Sequence, residues 1–245
     1  MLVDLSEAQE DVIIEILLRV DTKNLIRRCT LVSRQWNYIL SQKQFWMRKC
    51  QFEGYCLPFR LFNNVSINYK MLCHLKPFNR NFLSDNWDEN GRFHPDKRWA
   101  SRGINNVEII GCQVTSYDWG TKKITIDLVK EGLQPEILDS LKPPIVISEL
   151  VAHRYDCGAV YKMKCFLNDE NVEVLSLDSN CVFRQEITID QWQEQKWRKV
   201  ELVLTSYPVG TRFLYLTCQG KDRQFWAGKY GAKMVNCSVM AKLPS

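Results

Sequence analysis

Two periodicities divide this chain. From Asp11 to Val20 the apolar residues Val12, Ile13, Ile16, Leu17 and Val20 return at helical spacing. Asp21 and Thr22 offer an N-cap before Leu25, Ile26 and Cys29. Ser33 is a plausible cap for a third short segment with Trp36, Ile39 and Leu40 on one face, and Phe45 and Trp46 come after a polar break. Three short helices in about fifty residues make a thin core, near the lower limit of what folds unaided. Such a unit often leaves an apolar face for a partner.

The helical period then fades. Gln51 to about Asn68 mixes Gly, Pro and aromatics without period and reads as a connection, with a short helix at Tyr69 to Leu75 leading out. Lys76 to Arg102 is rich in Asn, Asp, Pro and Gly, which favours irregular structure, with Trp87 and Trp99 pinning it onto the domain behind. Beyond it the period becomes two. Val107 to Val114 is an apolar run, and alternation recurs at Ile124, Ile126 and Leu128, and at Tyr161, Met163, Cys165 and Leu167. It returns at Val172 and Val174, at Val200, Leu202 and Leu204, at Phe213, Tyr215 and Thr217, and in the run ending at Val239. Turn signals stand at Asn168 to Asn171, Tyr207 to Gly210 and Gln219 to Asp222, and only Gln134 to Leu141 reads as a helix. The expected fold is α+β and multidomain: a small all-α module, then an antiparallel, jelly-roll-like β-sandwich. Its divisions are residues 1–50, a linker over 51–75, and 76–245.

Composition narrows the function. Hydrophobic residues at 45% and charged ones at 25% are ordinary globular values, and a net charge of +5 is not the clustered basic balance of a nucleic-acid binder. No signal peptide and no run of about 20 apolar residues is present, so a soluble, cytoplasmic protein without membrane insertion is expected. The 10 cysteines include no C-x-x-C pair and lie mostly in apolar patterns, as small buried hydrophobes do.

Enzyme signatures are absent: no H-E-x-x-H, no G-x-S-x-G and no phosphate-cradling glycine motif. His74, His94 and His153 are dispersed, and Asp118 and Asp156 are the nearest approach to a glycosidase carboxylate pair, with nothing marking either. The expectation is a non-catalytic protein with no cofactor and no metal. Three inter-strand segments are more informative: Ser116-Tyr-Asp-Trp119, Arg154-Tyr-Asp-Cys-Gly158, and Phe225-Trp226 with Gly228 and Gly231 just beyond. Loops of a sandwich gather at its two ends. Aromatic rings cover the C–H face of a pyranose, and a carboxylate accepts its hydroxyl hydrogens. The alternative is that the rings plug the end of a core and Asp156 caps a turn.

The residues also carry two resemblances. Glu10 to Val20, Lys23 to Trp36 with its Leu31-Val-Ser step, and Phe45-Trp46 resemble an F-box, although Ala8-Gln-Glu-Asp11 stands where F-boxes usually open with Leu-Pro. That resemblance implies docking to a Skp adaptor, and through it to a cullin–RING ubiquitin ligase. Val12, Ile13, Ile16, Leu17, Leu25, Leu31, Val32 and Trp36 would be the core and docking residues. Thr115 to Trp119, Ile124 to Leu128, Leu141 to Ile147, Arg154 to Tyr161, Tyr207 to Phe213 and Phe225 to Val239 resemble the F-box-associated domain of the sugar-recognising F-box proteins. This second resemblance covers roughly residues 68 to 245 and implies binding to the chitobiose core of high-mannose N-glycans on misfolded glycoproteins. The implied glycan-binding residues are Tyr117, Asp156, Phe225 and Trp226. Tyr117 stands where sugar-binding members have Phe, Phe225 where they have Tyr, and Ala227 where they have a Lys.

Overall fold

A computed structural model describes residues 9–55, 66–83, 94–95, 112–170 and 182–243. The expected strand at Val172 and Val174, the tryptophans at 87 and 99, and most of the 107–114 run lie outside those residues.

The helical module has four helices rather than three: α1 (Glu10–Arg19), α2 (Thr22–Arg27), α3 (Arg34–Ser41) and α4 (Lys43–Phe52). The expected caps are made. The Asp21 carboxylate accepts from the Lys23 amide at 2.9 Å and the Ser33 hydroxyl from the Trp36 amide at 3.1 Å. Phe45 and Trp46 belong to α4, where both rings are buried and the Trp46 indole donates to the Leu40 carbonyl at 2.8 Å. Lys49 is buried too, yet fully bonded: its ammonium donates to the Leu18 and Val20 carbonyls and pairs with Glu53 at 3.0 Å. Burial would raise the Glu53 carboxyl, but Lys49 and Lys76 hold it below the usual range.

Helix α5 (Tyr69–Leu75) joins this module to the sheets. Its Asn68 cap exchanges two hydrogen bonds with the Gln134 side chain, at 2.8 and 2.9 Å. Gly132, at φ +98°, leaves room for Leu75, whose Cβ would lie 2.7 Å from any Cβ placed there. One continuous apolar cluster runs from Ile13 and Leu17 through Leu72 and Cys73 to Leu133, Ile147 and Leu216. The expected boundaries at 50 and 76 are therefore bridged by packing.

The strands are β1 (His94–Pro95), β2 (Gln113–Val114), β3 (Gly120–Asp127), β4 (Ile145–Ala152), β5 (Ala159–Asn168), β6 (Val182–Ile189), β7 (Arg198–Leu204), β8 (Phe213–Asp222) and β9 (Lys233–Ala241). They form two antiparallel sheets, in the orders β1-β2-β9-β4-β7 and β3-β8-β5-β6. Alternate residues of β3 and the first half of β5 (Ile124, Ile126, Tyr161, Met163) are buried, as are Ile145, Ile147 and Val151 of β4, while β8 is buried continuously from Leu214 to Cys218. This is the expected sandwich, with β4 and β6 as strands that no alternation announces, and with two further local corrections. Gln219 to Asp222 is the end of β8 rather than a turn, paired to β3 and β5. The expected helix near Gln134 is mostly a π-helical turn over Ile137–Leu141. The eight cysteines among the described residues stand as thiols, seven of them buried and Cys237 partly so.

Register fixes which loops meet. Gly120 pairs with Gly220, Ala159 with both Asp222 and Ile189, Ala152 with Lys233, and Val151 with Arg198. The β2–β3, β4–β5, β6–β7 and β8–β9 loops therefore share one end of the sandwich. Helix α5 and the π-helical turn occupy the other.

Candidate functional site

The loop end is organised by Asp222, a residue whose sequence context suggests a turn. Buried at the last position of β8, its two carboxylate oxygens each accept a backbone N–H, from Phe225 and from Trp226, both at 2.8 Å. A charged acceptor bonded to two amides holds a tight turn. It does so here although Phe225 adopts φ +58°, a left-handed conformation that non-glycine residues seldom take. The rings are thereby carried outward, Phe225 75% and Trp226 40% exposed. Gln224, one residue earlier, accepts from the Gly158 amide at 2.8 Å and so ties this loop to β4–β5.

The β2–β3 loop lies alongside. The Ser116 carbonyl accepts from the Asp222 amide at 2.9 Å, and its hydroxyl accepts from the Gly228 amide at 3.1 Å. Gly231 makes this approach possible: a Cβ there would sit 2.9 Å from the Ser116 carbonyl. Tyr117 is 50% exposed on this loop. The ammonium groups of Lys162 and Lys221 both approach the Trp119 ring, at 4.9 and 5.0 Å, and Lys221 also reaches the Phe225 ring at 5.7 Å. These cations put a positive flank beside the exposed rings.

Asp156 lies at the same end but is already partnered. Arg154 grips it with two hydrogen bonds, at 2.7 and 3.0 Å. That bond with Asp156 raises the Arg154 guanidinium above its usual range. The guanidinium also stacks 4.5 Å over Tyr230, whose ring meets Trp226 edge to face at 5.4 Å. Arg154 and Tyr230 are thus site residues that sequence reasoning missed, and the Arg two positions before an Asp was the available signal. Asp118 gives a carboxylate oxygen to its neighbour's amide, Trp119, at 2.7 Å.

Among the described residues, one group has metal-donor chemistry: Glu149, Cys218 and Cys237, with ligand atoms within 4.8 Å of one another between the sheets. Glu149 already binds the Lys122 ammonium and accepts from the Tyr161 hydroxyl at 2.6 Å. A cation there would have to displace the charge of Lys122. Burial alone would lower Lys122, but Glu149 outweighs it and keeps the ammonium protonated.

On the helical module the eight residues divide. Ile13, Leu17 and Leu25 are fully buried and Trp36 packs partly against the core, whereas Val12, Ile16, Leu31 and Val32 are exposed. Among the described residues no helix is long and apolar enough to cross a membrane.

Comparison with known proteins meets these two units. A model described as F-box-like matches residues 10–52, and one described as the F-box associated region matches residues 73–241. The chain belongs to the F-box proteins that carry an F-box-associated region. It is 30% identical to F-box only protein 6 of Bos taurus, over 98% of this chain and 93% of that one. It is 28% identical to F-box only protein 6 of Homo sapiens, over 96% and 83%, and 26% identical to human F-box only protein 44, over 96% of both. Within this F-box protein the first match coincides with α1–α4, and the second begins inside α5 and ends with β9. A solved structure of TmCBM61 with beta-1,4-galactotriose matches at TM-score 0.37 and 13% identity, over 66% of this chain and 99% of that one, too loosely to carry any argument.

Proposed function

We propose that the chain is the non-catalytic substrate-recognition subunit of a Skp–cullin–F-box ubiquitin ligase. On this reading it works in the cytoplasm and binds the chitobiose core of high-mannose N-glycans on misfolded glycoproteins, marking them for ER-associated degradation. The observation that carries the sugar reading is the placement of Trp226. Its indole is held half-exposed by Asp222, at the same end of the sandwich as Tyr117, Phe225 and Asp156. A flat apolar face rimmed by Arg154, Asp156 and Lys221 suits a pyranose, which stacks its C–H face and shares its hydroxyls with charged groups. The exposed Val12, Ile16, Leu31 and Val32 support adaptor docking, and α5 packs at the end of the sandwich remote from Trp226.

A second reading is favoured by one specific arrangement. Asp156 is closed upon Arg154 and Ala227 offers no cation, so the same receptor would read a protein degron instead. One experiment separates the two. The full-length chain, co-expressed with a Skp adaptor, is used to capture a single denatured glycoprotein before and after enzymatic removal of its N-glycans. Capture of the glycosylated form alone supports the glycan reading, and equal capture of both forms supports the degron. Failure to co-purify with the adaptor contradicts the ligase assignment.

A further inference from the structure

The loop end carries a second aromatic feature that the Trp226 platform does not use. Tyr155 and Trp192 stand edge to face with centroids 5.3 Å apart, 51% and 59% exposed, and neither belongs to either apolar cluster of the fold. Their position is enforced. Trp192 holds φ +66°, a conformation that bulky residues rarely adopt and that points to function where the surroundings impose it. Two bonds impose it here: the Trp192 amide donates to the Tyr155 carbonyl, and the Gln191 side chain donates to the Asp156 carbonyl, each at 2.8 Å. The β6–β7 loop is thus clamped to the β4–β5 loop, and the clamp keeps an indole in water.

The surroundings are polar. Gln193, Glu194 and Gln195 come directly after Trp192 and are exposed, and Arg223 pairs with Asp190 on the near side. Rings edged by amides and carboxylates offer a sugar both a stacking face and partners for its hydroxyls. The feature is also tied to the first platform through the β4–β5 loop. Trp226 meets Tyr230, Tyr230 lies under Arg154, Arg154 holds Asp156, and Tyr155 lies between that pair in sequence and touches Trp192.

We propose that Tyr155 and Trp192 form a second sugar platform, which contacts the mannose arms of a branched glycan whose chitobiose base stacks on Trp226. The proposal rests on the glycan reading above and adds to it a reason for preferring large glycans over the bare disaccharide. The polar rim and the shared β4–β5 loop, which carries Tyr155 beside Arg154 and Asp156, favour the remainder of the same glycan over an apolar peptide as occupant.

The test titrates the full-length chain with chitobiose and with a high-mannose oligosaccharide built on the same chitobiose. Trp192→Gly removes the ring while suiting the left-handed backbone, and Tyr155→Ser removes the partner ring without touching that turn. Wild type is expected to bind the oligosaccharide roughly five- to tenfold tighter than chitobiose, the scale of one aromatic contact. Each variant should keep its chitobiose affinity and lose that difference, with melting unchanged. Variants that retain the difference, or that lose both ligands equally, overturn the proposal while leaving the first platform standing. Loss of binding to an unglycosylated denatured protein, with the sugar preference intact, overturns it in favour of a peptide surface. Wild type that binds neither sugar removes the glycan reading and this proposal together.

Discussion

The two ends of the sandwich use the same strands and close by opposite means. At the helical end, Leu72, Leu133, Ile137 and Leu138 are buried together, and the polar groups present serve to seal them: Asn68 with Gln134, Arg80 with Glu131, Arg212 with Asp139. At the loop end the large rings are left in water, and order comes from side chains that bond to the main chain: Asp222, Gln224 and Gln191. An apolar seal resists opening but presents nothing, whereas a polar brace fixes geometry and leaves the rings free for a ligand. Stability and recognition are therefore expected to respond differently to mutation at the two ends.

The largest effect is expected at the sealed end. Gly132→Leu combines a positive φ with a Cβ 2.7 Å from that of Leu75. Strain and overpacking together should cost about 4 kcal/mol and lower the melting temperature by roughly 10 °C. Sugar affinity measured below the transition should be unchanged. Wild-type melting would mean that α5 does not seat there.

Asp222→Ala should add a loss of affinity to a smaller loss of stability. It removes the acceptors of two partly buried amides, for about 2 kcal/mol of stability, and releases Phe225 and Trp226. Sugar affinity should fall by more than tenfold, as read by titration at a temperature where the variant remains folded. Affinity that merely tracks the stability loss would show that the brace does not set the geometry of the rings.

The smallest effect concerns pH. His153 is buried where β4 enters the loop end, with only the Gln193 backbone beside its ring and no hydrogen bond of good geometry to either nitrogen. Burial, aided by Arg198 and Lys233, lowers its pKa from 6.5. The unfolded chain thus takes up this proton first, so the stability is present above 6.5 and lost as pH falls from there toward the depressed value. His153→Leu should flatten the fall in melting temperature as pH drops below about 6.5. A variant with the wild-type slope would assign that slope to other groups.

Much of the helical module and of the sheets was legible in the sequence. Helical spacing, the Asp21 and Ser33 caps and the alternation of β3, β5, β7, β8 and β9 each arise from a local period or a local hydrogen bond. Strand β4 escaped because Ile147, Ser148 and Glu149 are buried in succession, so no alternation marks it. The end of β8 escaped because its Gly and Asp imitate a turn, when Gly220 is there to let Ala232 approach and Asp222 to brace the next loop. At the loop end the aromatic pair and its glycines were readable. Pairing across loops was not. Nothing local in Arg154 says that it closes on Asp156 and covers Tyr230, and nothing in Trp192 says that it meets Tyr155.

The central claim is that Trp226 is the floor of a sugar site, and calorimetric titration of the full-length chain with chitobiose, beside Trp226→Ala, tests it most directly. Saturable binding by wild type, weakened more than tenfold in a variant that melts normally, is the predicted result. Absence of wild-type binding at millimolar sugar, or equal binding by the variant, would contradict it.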